Sequence, residues 1–289
     1  RIQLSKNYQI LALKWRPKYF KDVVGQDHIT ETLQKAFEKN RIAQAFLFAG
    51  PRGVGKTTTA RLLAMSLNGS DTPSTDYDAD SDAVKEIIEG RSMDVIEIDG
   101  ASNRGIDEIR ELRENIKFMP LSGKFKVVII DEVHMLTVQA FNALLKTLEE
   151  PPTHVKFIMA TTDIHKVPQT IISRCQRFDF LPMTNNIIKD RLKHILKVES
   201  VKIDDTSLDL IANKSEGSMR DALGFLDQVL VFSDKKITNE IVINLLGIVP
   251  AEIYFNITDA LHDKDGDSLV SVIQKIRDKG YIIEDLLKG

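Results

Sequence analysis

"GPRGVGKT", residues 50–57, follows the apolar run "AFLFA" (45–49) and opens the helix-patterned stretch "GKTTTARLLAMSLN" (55–68). The pattern is glycine, four residues, then Gly-Lys-Thr, between a strand and a helix. Its glycines let backbone N–H groups wrap phosphate oxygens, and the helix start adds a favourable dipole. On this reading Gly50, Pro51, Arg52, Gly53, Val54, Gly55, Lys56, Thr57 and the following Thr58 form a nucleotide cradle. Lys56 reaches the β- and γ-phosphates and Thr57 ligands Mg²⁺. The bland alternative is a chance glycine-rich turn, and the flanking strand and helix weigh against it.

Outward from the cradle, short β-type runs alternate with helical patterns: "AFLF" (45–48), "DVIEI" (94–98), "KVVII" (126–130), "KFIMA" (156–160) and "QRFDF" (176–180). The alternation predicts a parallel sheet covered by helices, an α/β fold. Between the strands, "GIDEIRELRENIKF" and "TVQAFNALLKTLEE" repeat their apolar positions at helical spacing; Thr137 suits an N-cap, and Pro151 with Pro152 stops the second helix. After "LPMTNN" (181–186) strand signals cease. Helical patterns follow at about 186–199, 206–214, 218–232 and 238–246, then at about 251–262 and 265–279.

"VVIIDE" (127–132) is an apolar strand ending in two carboxylates. Behind a phosphate cradle, Asp131 can hold Mg²⁺ through water and Glu132 can orient and deprotonate an attacking water. An acidic pair after a buried strand is otherwise often a solvated loop.

The 289 residues are 43% hydrophobic and 28% charged, a globular balance with material for more than one core. The apolar runs fall far short of the roughly 20 residues of a membrane helix. The single cysteine, Cys175, excludes an internal disulfide and any multi-cysteine zinc site and reads as a small buried hydrophobe. No charged-then-apolar leader opens the chain, so a cytoplasmic location is expected. Arg1 in place of methionine sets the expectation of a piece of a longer protein. A net charge of -3 gives no global attraction to DNA. Trp15 reads as a packing anchor, and His134 inside "DEVH" as structural, with no metal spacing.

"KWRPKYFKDVVGQ", "GPRGVGKTTTARLLA", "DEVHMLTVQAFNALLKTLEEPP", "FIMATTDIHKVPQTIISRCQRFDF" and "EGSMRDAL" together resemble the bacterial clamp-loader motor, the gamma/tau subunit family of the DNA polymerase III holoenzyme, which are AAA+ ATPases. The resemblance covers essentially the whole chain. It implies an αβα AAA+ domain (1–181), a helical lid (182–249) and the start of a helical collar (250–289). It implies that Thr162 in "ATTD" is sensor 1, Arg174 in "SRC" an arginine finger for a neighbouring subunit, and Arg220 in "GSMRDAL" sensor 2; Ala12, Arg16 and Val24 would line the adenine and ribose pocket. The bland readings are a strand-end cap for Thr162, a local ion pair for Arg174 and a surface pair with Asp221 for Arg220.

By the same resemblance ATP and Mg²⁺ are the ligands. Partner clamp-loader subunits in a hetero-pentamer, a sliding clamp and primer-template DNA are the partners, with no membrane. Arg104 in "ASNRG" and Lys166 in "DIHK" are the DNA-phosphate candidates, though each also suits a solvated surface charge. With only two collar helices before Gly289, this chain is expected to be monomeric. Two rival readings are a non-hydrolysing structural relative and another AAA+ DNA motor such as a branch-migration ATPase. Intact Lys56, Thr57, Asp131 and Glu132 speak against the first, and "LLKTLEEPP" with "SRC" against the second.

One stretch departs from the family. "GSDTPSTDYDADSDAV" (69–84) carries five aspartates where the family has a zinc module on four cysteines. Aligned without gaps from "SLN" to "EGR", the ligand positions fall on Gly69, Asp78, Ser81 and Val84, so zinc is not expected. Asp78, Asp80, Asp82 and Glu89 have the spacing of a calcium loop, but Ala83 stands where the turn wants glycine and "AVKEIIEG" reads as helix. A soluble, mobile residual loop is the expectation.

Overall fold

The computed structural model describes residues 9–232, 237–278 and 286; the remaining positions, which the domain bounds above include, lie outside the described residues. Two compact units result: Arg16–Met183, and a helical unit formed by the residues up to Trp15 together with those from Thr184 on.

The first unit is built on five strands, β1 (Ala45–Ala49), β2 (Val95–Asp99), β3 (Lys126–Asp131), β4 (Val155–Thr161) and β5 (Gln176–Asp179), in the order β2-β3-β4-β1-β5. Every pairing is parallel. The central strands read as unbroken apolar runs because both faces are covered, and successive side chains alternate between two cores. Phe46, Phe48, Val127, Ile129, Ile158 and Ala160 face one core with Leu62, Leu63 and Leu67 of the helix Lys56–Asn68 and with Ile29 and Leu33 of the helix Asp27–Glu38. Leu47, Val128, Ile130, Phe157 and Met159 face the other, with Ile109 and Leu112 of the helix Ile106–Asn115 and Phe141 and Leu144 of the helix Val138–Glu149. Thr137 caps the latter helix, its hydroxyl accepting from the Ala140 N–H at 3.2 Å. The helix Asp27–Glu38 is the longest element of this unit that strand–helix alternation does not anticipate; the short helix Gln169–Ile172 and the 3₁₀ turns Phe20–Asp22, Val133–Met135 and Ile164–Lys166 are others. Asp27–Glu38 precedes the first strand, and its apolar face is only Ile29, Leu33 and Phe37.

The helical unit holds the helices Asn185–Val198, Asp205–Lys214, Met219–Phe232, Asn239–Leu246, Ala251–His262 and Gly266–Asp278, within one or two residues of the sequence expectation. Their buried faces include Ile188, Leu192, Ile195, Leu208, Ile211, Leu226, Val229 and Val242. The short helix Leu11–Lys14 groups with this unit and not with the α/β unit. Trp15 is the reason: its indole N–H donates to Glu199 Oε1 at 2.9 Å, its ring meets His194 edge-on, and the Arg191 guanidinium lies over it. Lys14 pairs with the same carboxylate. Trp15 is thus a packing anchor, as the sequence suggests.

The aspartate-rich stretch corrects the expectation of a mobile loop. Tyr77 is buried at 4% exposure; its hydroxyl donates to the Lys18 carbonyl at 2.6 Å and its ring stacks on Tyr19 at 5.4 Å. Burial pushes the Tyr77 phenol well above its ordinary pKa. A Cβ on Gly69 would lie 2.9 Å from Val84 Cγ2 and 3.2 Å from Tyr77 Cβ, and Val84 is fully buried. The Ser81 hydroxyl donates to the Asp78 carbonyl at 2.8 Å and accepts from the Val84 N–H, capping the helix Asp82–Ile88. The four positions aligned with zinc ligands therefore hold an apolar contact and a helix cap. They do not fit a tetrahedral sulfur site. The charge sits on exposed Asp76, Asp78, Asp80 and Asp82, while Tyr77 and Ala79 between them point inward.

Tyr77→Ala is expected to destabilise the α/β unit by about 3 kcal/mol and Tyr77→Phe by about 1 kcal/mol. EDTA should leave both the parent and variant curves unmoved. Urea denaturation with elemental analysis of the same samples checks all three.

Candidate active site

The site is assembled where β1, β3 and β4 end together. Register pairs Ala49 with Thr161, and β3 ends one step beyond its last β4 pair, Ile130 with Met159. From Ala49 the chain turns through the glycine-rich loop into the helix Lys56–Asn68. Gly50 has φ +148°, and a Cβ there would run into the Phe180 backbone; Gly55, at φ +105°, has open space but a conformation that other residues rarely adopt. Two ties hold the following helix: Arg61 makes a fork to Glu97 on β2 with both bonds at 2.7 Å, and Asn68 exchanges three hydrogen bonds with Lys124 and Phe125 at the entry to β3.

Lys56 is buried and spans the loop, donating to the Gly50 carbonyl at 2.8 Å and the Pro51 carbonyl at 2.6 Å. Burial pulls its ammonium below the ordinary lysine value, and the carboxylates of Glu132 and Asp131 push the other way. The Thr57 hydroxyl donates to Asp131 Oδ2 at 2.6 Å, while Asp131 Oδ1 accepts the Glu132 N–H at 2.9 Å. A hydroxyl and a carboxylate at bonding distance are the hard oxygen donors that Mg²⁺ takes, with substrate phosphates and waters filling its other positions. Val54 is buried, Gly53 and Thr58 are half-buried, and Pro51 and Arg52 face solvent.

Glu132 sits in the left-handed region, φ +46° and ψ +47°, a strained choice for a residue other than glycine, of a kind that clusters at functional sites. That turn aims its carboxylate at β4. Oε2 accepts the Thr162 hydroxyl at 2.8 Å and the Thr162 N–H at 3.1 Å. The candidate base and the candidate sensor are therefore in direct contact.

The other candidates are distributed. Arg16 and Val24 lie half-buried in the α/β unit; Ala12 and the exposed Arg220 belong to the helical unit. Arg174, about one-third exposed, donates to Glu149 Oε1 at 2.7 Å and to the Thr170 carbonyl at 2.8 Å, the local ion pair of the bland reading. Arg104 is exposed and donates to the Ala101 carbonyl, in a loop folded around Asp99, whose carboxyl is held low by the Ser102 hydroxyl and the Ala101 N–H. Lys166 is exposed and pairs with Asp163 at 3.1 Å. Cys175 is half-buried, and burial pushes its thiol up to about 12. Sequence reasoning missed Thr161 and set His134 aside as structural; both lie in this cluster. The one signal for them is closeness along the chain: Thr161 precedes Thr162, and His134 lies two residues after Glu132.

Two family models match the chain: "DNA polymerase III, delta subunit" over residues 25–184, and "DNA polymerase III clamp loader subunit, ATPase lid domain" over residues 187–235. Among curated proteins the chain is 46% identical over 285 residues to DNA polymerase III subunit tau of Bacillus subtilis, covering 97% of this chain and 51% of that one. It is 45% identical over 281 residues to subunit gamma of Buchnera aphidicola, covering 97% and 78%, and 42% identical to subunit tau of Escherichia coli, covering 97% and 44%. The chain spans about half the length of the Bacillus relative. The delta model reaches only the α/β part, whereas the tau and gamma likeness runs nearly end to end. Among solved structures, the Thermotoga maritima RuvB Holliday junction branch migration motor superposes with a TM-score of 0.59 at 18% identity, over 93% of this chain and 89% of that one. At that identity the match speaks for the α/β AAA+ fold alone.

Lys56→Ala is expected to weaken ATP binding by about 10- to 100-fold, the loss of charge-assisted hydrogen bonds. Glu132→Gln should bind ATP within about threefold of the parent and lower turnover by about 10²- to 10⁴-fold. Equilibrium binding and single-turnover hydrolysis, run on both variants, separate the two roles.

Proposed function

The chain belongs to the tau/gamma subunit family of DNA polymerase III, and from that premise we propose that it is the ATP-hydrolysing motor of a clamp loader. It couples ATP binding to opening a sliding clamp and placing it on primed DNA, and hydrolysis to letting the clamp go. The observation that carries the reading is the intact site: Lys56 across its loop, Thr57 bonded to Asp131, and Glu132 bonded to Thr162 on one sheet edge. A non-hydrolysing relative has no use for that set. A branch-migration motor shares the fold at 18% identity, against 42–46% for tau and gamma subunits.

In this reading the loop N–H groups and Lys56 grip the β- and γ-phosphates, and Ala12, Arg16 and Val24 take the adenine and ribose. Thr57 and Asp131 hold Mg²⁺, which when bound neutralises phosphate charge. Glu132 accepts the proton of the water that attacks the γ-phosphoryl group, so that ADP leaves as the P–O bond breaks. Thr162 reads the γ-phosphate, and Arg220 takes the sensor 2 role that the family resemblance implies. Arg174 acts on the nucleotide of a neighbouring subunit. The γ-phosphoryl needs added positive charge as it leaves, and an arginine supplied from a second protein accelerates such reactions by ~10³ to 10⁵-fold in GTPases. Arg104 and Lys166 meet DNA phosphates. The division of labour follows the AAA+ domain to residue 181, the lid from 182 to 249 and the collar from 250. A cytoplasmic location goes with replication; among the described residues no helix is long and apolar enough to cross a membrane.

Turnover per chain is expected to be slow alone and to rise when partner subunits, sliding clamp and primed DNA are added. Arg174→Ala should cut the turnover of the assembled complex by ~10³-fold while leaving ATP binding by the chain itself within about twofold. Steady-state hydrolysis, with clamp transfer to primed circular DNA in the same mixture, provides the check. Full activity of the isolated chain at low concentration contradicts action across a subunit boundary, and hydrolysis with no clamp transfer contradicts the loader.

A further inference from the structure

The Glu132 carboxylate has a third neighbour that the roles above leave unused. His134 sits in the 3₁₀ turn Val133–Met135, and its side chain is only 9% exposed. Its Nδ1 lies 3.3 Å from Glu132 Oε2 and 3.0 Å from Thr161 Oγ1. Thr161 is the last residue of β4, fully buried, and its hydroxyl oxygen also accepts the Asp163 N–H at 3.0 Å. One ring nitrogen therefore touches both the general base and the strand that ends in the sensor.

The neighbouring carboxylate decides between the two directions. An unprotonated Nδ1 could accept from the Thr161 hydroxyl at 3.0 Å, but its lone pair would then also face a carboxylate oxygen at 3.3 Å, a repulsion that works against that tautomer. The carboxylate selects the tautomer with hydrogen on Nδ1. That N–H then lies between Glu132 Oε2 and Thr161 Oγ1, whose second lone pair can take it.

We propose that His134 is a positioning residue for ATP hydrolysis: its Nδ1–H, shared between Thr161 and Glu132, fixes the base against β4. The Thr162 hydroxyl and N–H both donate to Oε2, and the His134 Nδ1 lies 3.3 Å from the same oxygen, so Oε1 is the oxygen left to take the proton from water. Thr162 alone would let the carboxylate pivot about a single residue. His134 adds a second point of support, reaching it from the turn that follows β3. The left-handed backbone at Glu132 brings the side chain back toward both. A misplacement of about 1 Å at a reacting group costs on the order of 10²-fold in rate, which sets the scale of the effect.

The inference rests on Glu132 being the base, so Glu132→Gln is run beside the histidine variants. In the full-length chain with its partner subunits, His134→Phe, which keeps volume and removes the donor, should lower kcat by about 10- to 100-fold with KM for ATP within about twofold. His134→Asn, whose amide N–H can stand near the place of Nδ1–H, should recover most of that loss. His134→Phe turning over like the parent, with Glu132→Gln inactive, overturns the positioning role and leaves the base intact. His134→Asn as slow as His134→Phe overturns it too. Glu132→Gln turning over like the parent removes the base and the inference with it. ¹⁵N NMR of the unsubstituted chain gives a reading independent of any variant's folding: the His134 ring carries hydrogen on Nδ1, and an Nε2–H tautomer there refutes the proposal.

Discussion

The hydrogen bond from Thr57 to Asp131, 2.6 Å long, joins the phosphate loop to the end of β3, and the rest of the site is arranged around it. It forms only because β1 and β3, separated in the sheet by β4, run parallel and end at one edge. Parallel strands need crossovers, and the helices that make them supply both cores, so the apolar alternation along each strand also fixes where the polar ends emerge. A one-residue slip in β3 would exchange its two faces and bury Asp131 in a core. The site is thus a by-product of register, which the packing of Val127 to Ile130 enforces.

What the sequence makes legible follows from this. The strand runs, the glycine loop and the acidic pair are local patterns with their own periods, and the structure places all five strands within a residue or two of the expected runs. The helix Asp27–Glu38 escaped because it lies before the first strand, outside the alternation that identifies the others. Partnerships escaped for a different reason. Glu132 with Thr162, His134 with Thr161 and Arg174 with Glu149 join residues 25 to 30 positions apart, and no local period encodes them. The left-handed backbone at Glu132 is equally silent, because glutamate gives no hint of that conformation.

The aspartate-rich segment shows how composition misleads when one residue dominates. Its charges predict a solvated, mobile strand of chain, and the aspartates do face water. Tyr77, set among them, buries a ring, satisfies the Lys18 carbonyl and stacks on Tyr19. Gly69 and Val84 close against it. The segment is tied by one aromatic side chain and a serine cap.

The claim on which the account turns is that Thr57 and Asp131 form the place for Mg²⁺, so that metal and nucleotide enter as one unit. Titration calorimetry of a non-hydrolysable ATP analogue, with and without Mg²⁺, tests this directly on the parent and on Thr57→Val. The account predicts that Mg²⁺ tightens binding to the parent by about tenfold or more, some 1.4 kcal/mol, and leaves Thr57→Val unchanged, while both chains bind the metal-free analogue alike. A Thr57→Val chain that keeps the parent's full response to Mg²⁺ would contradict it.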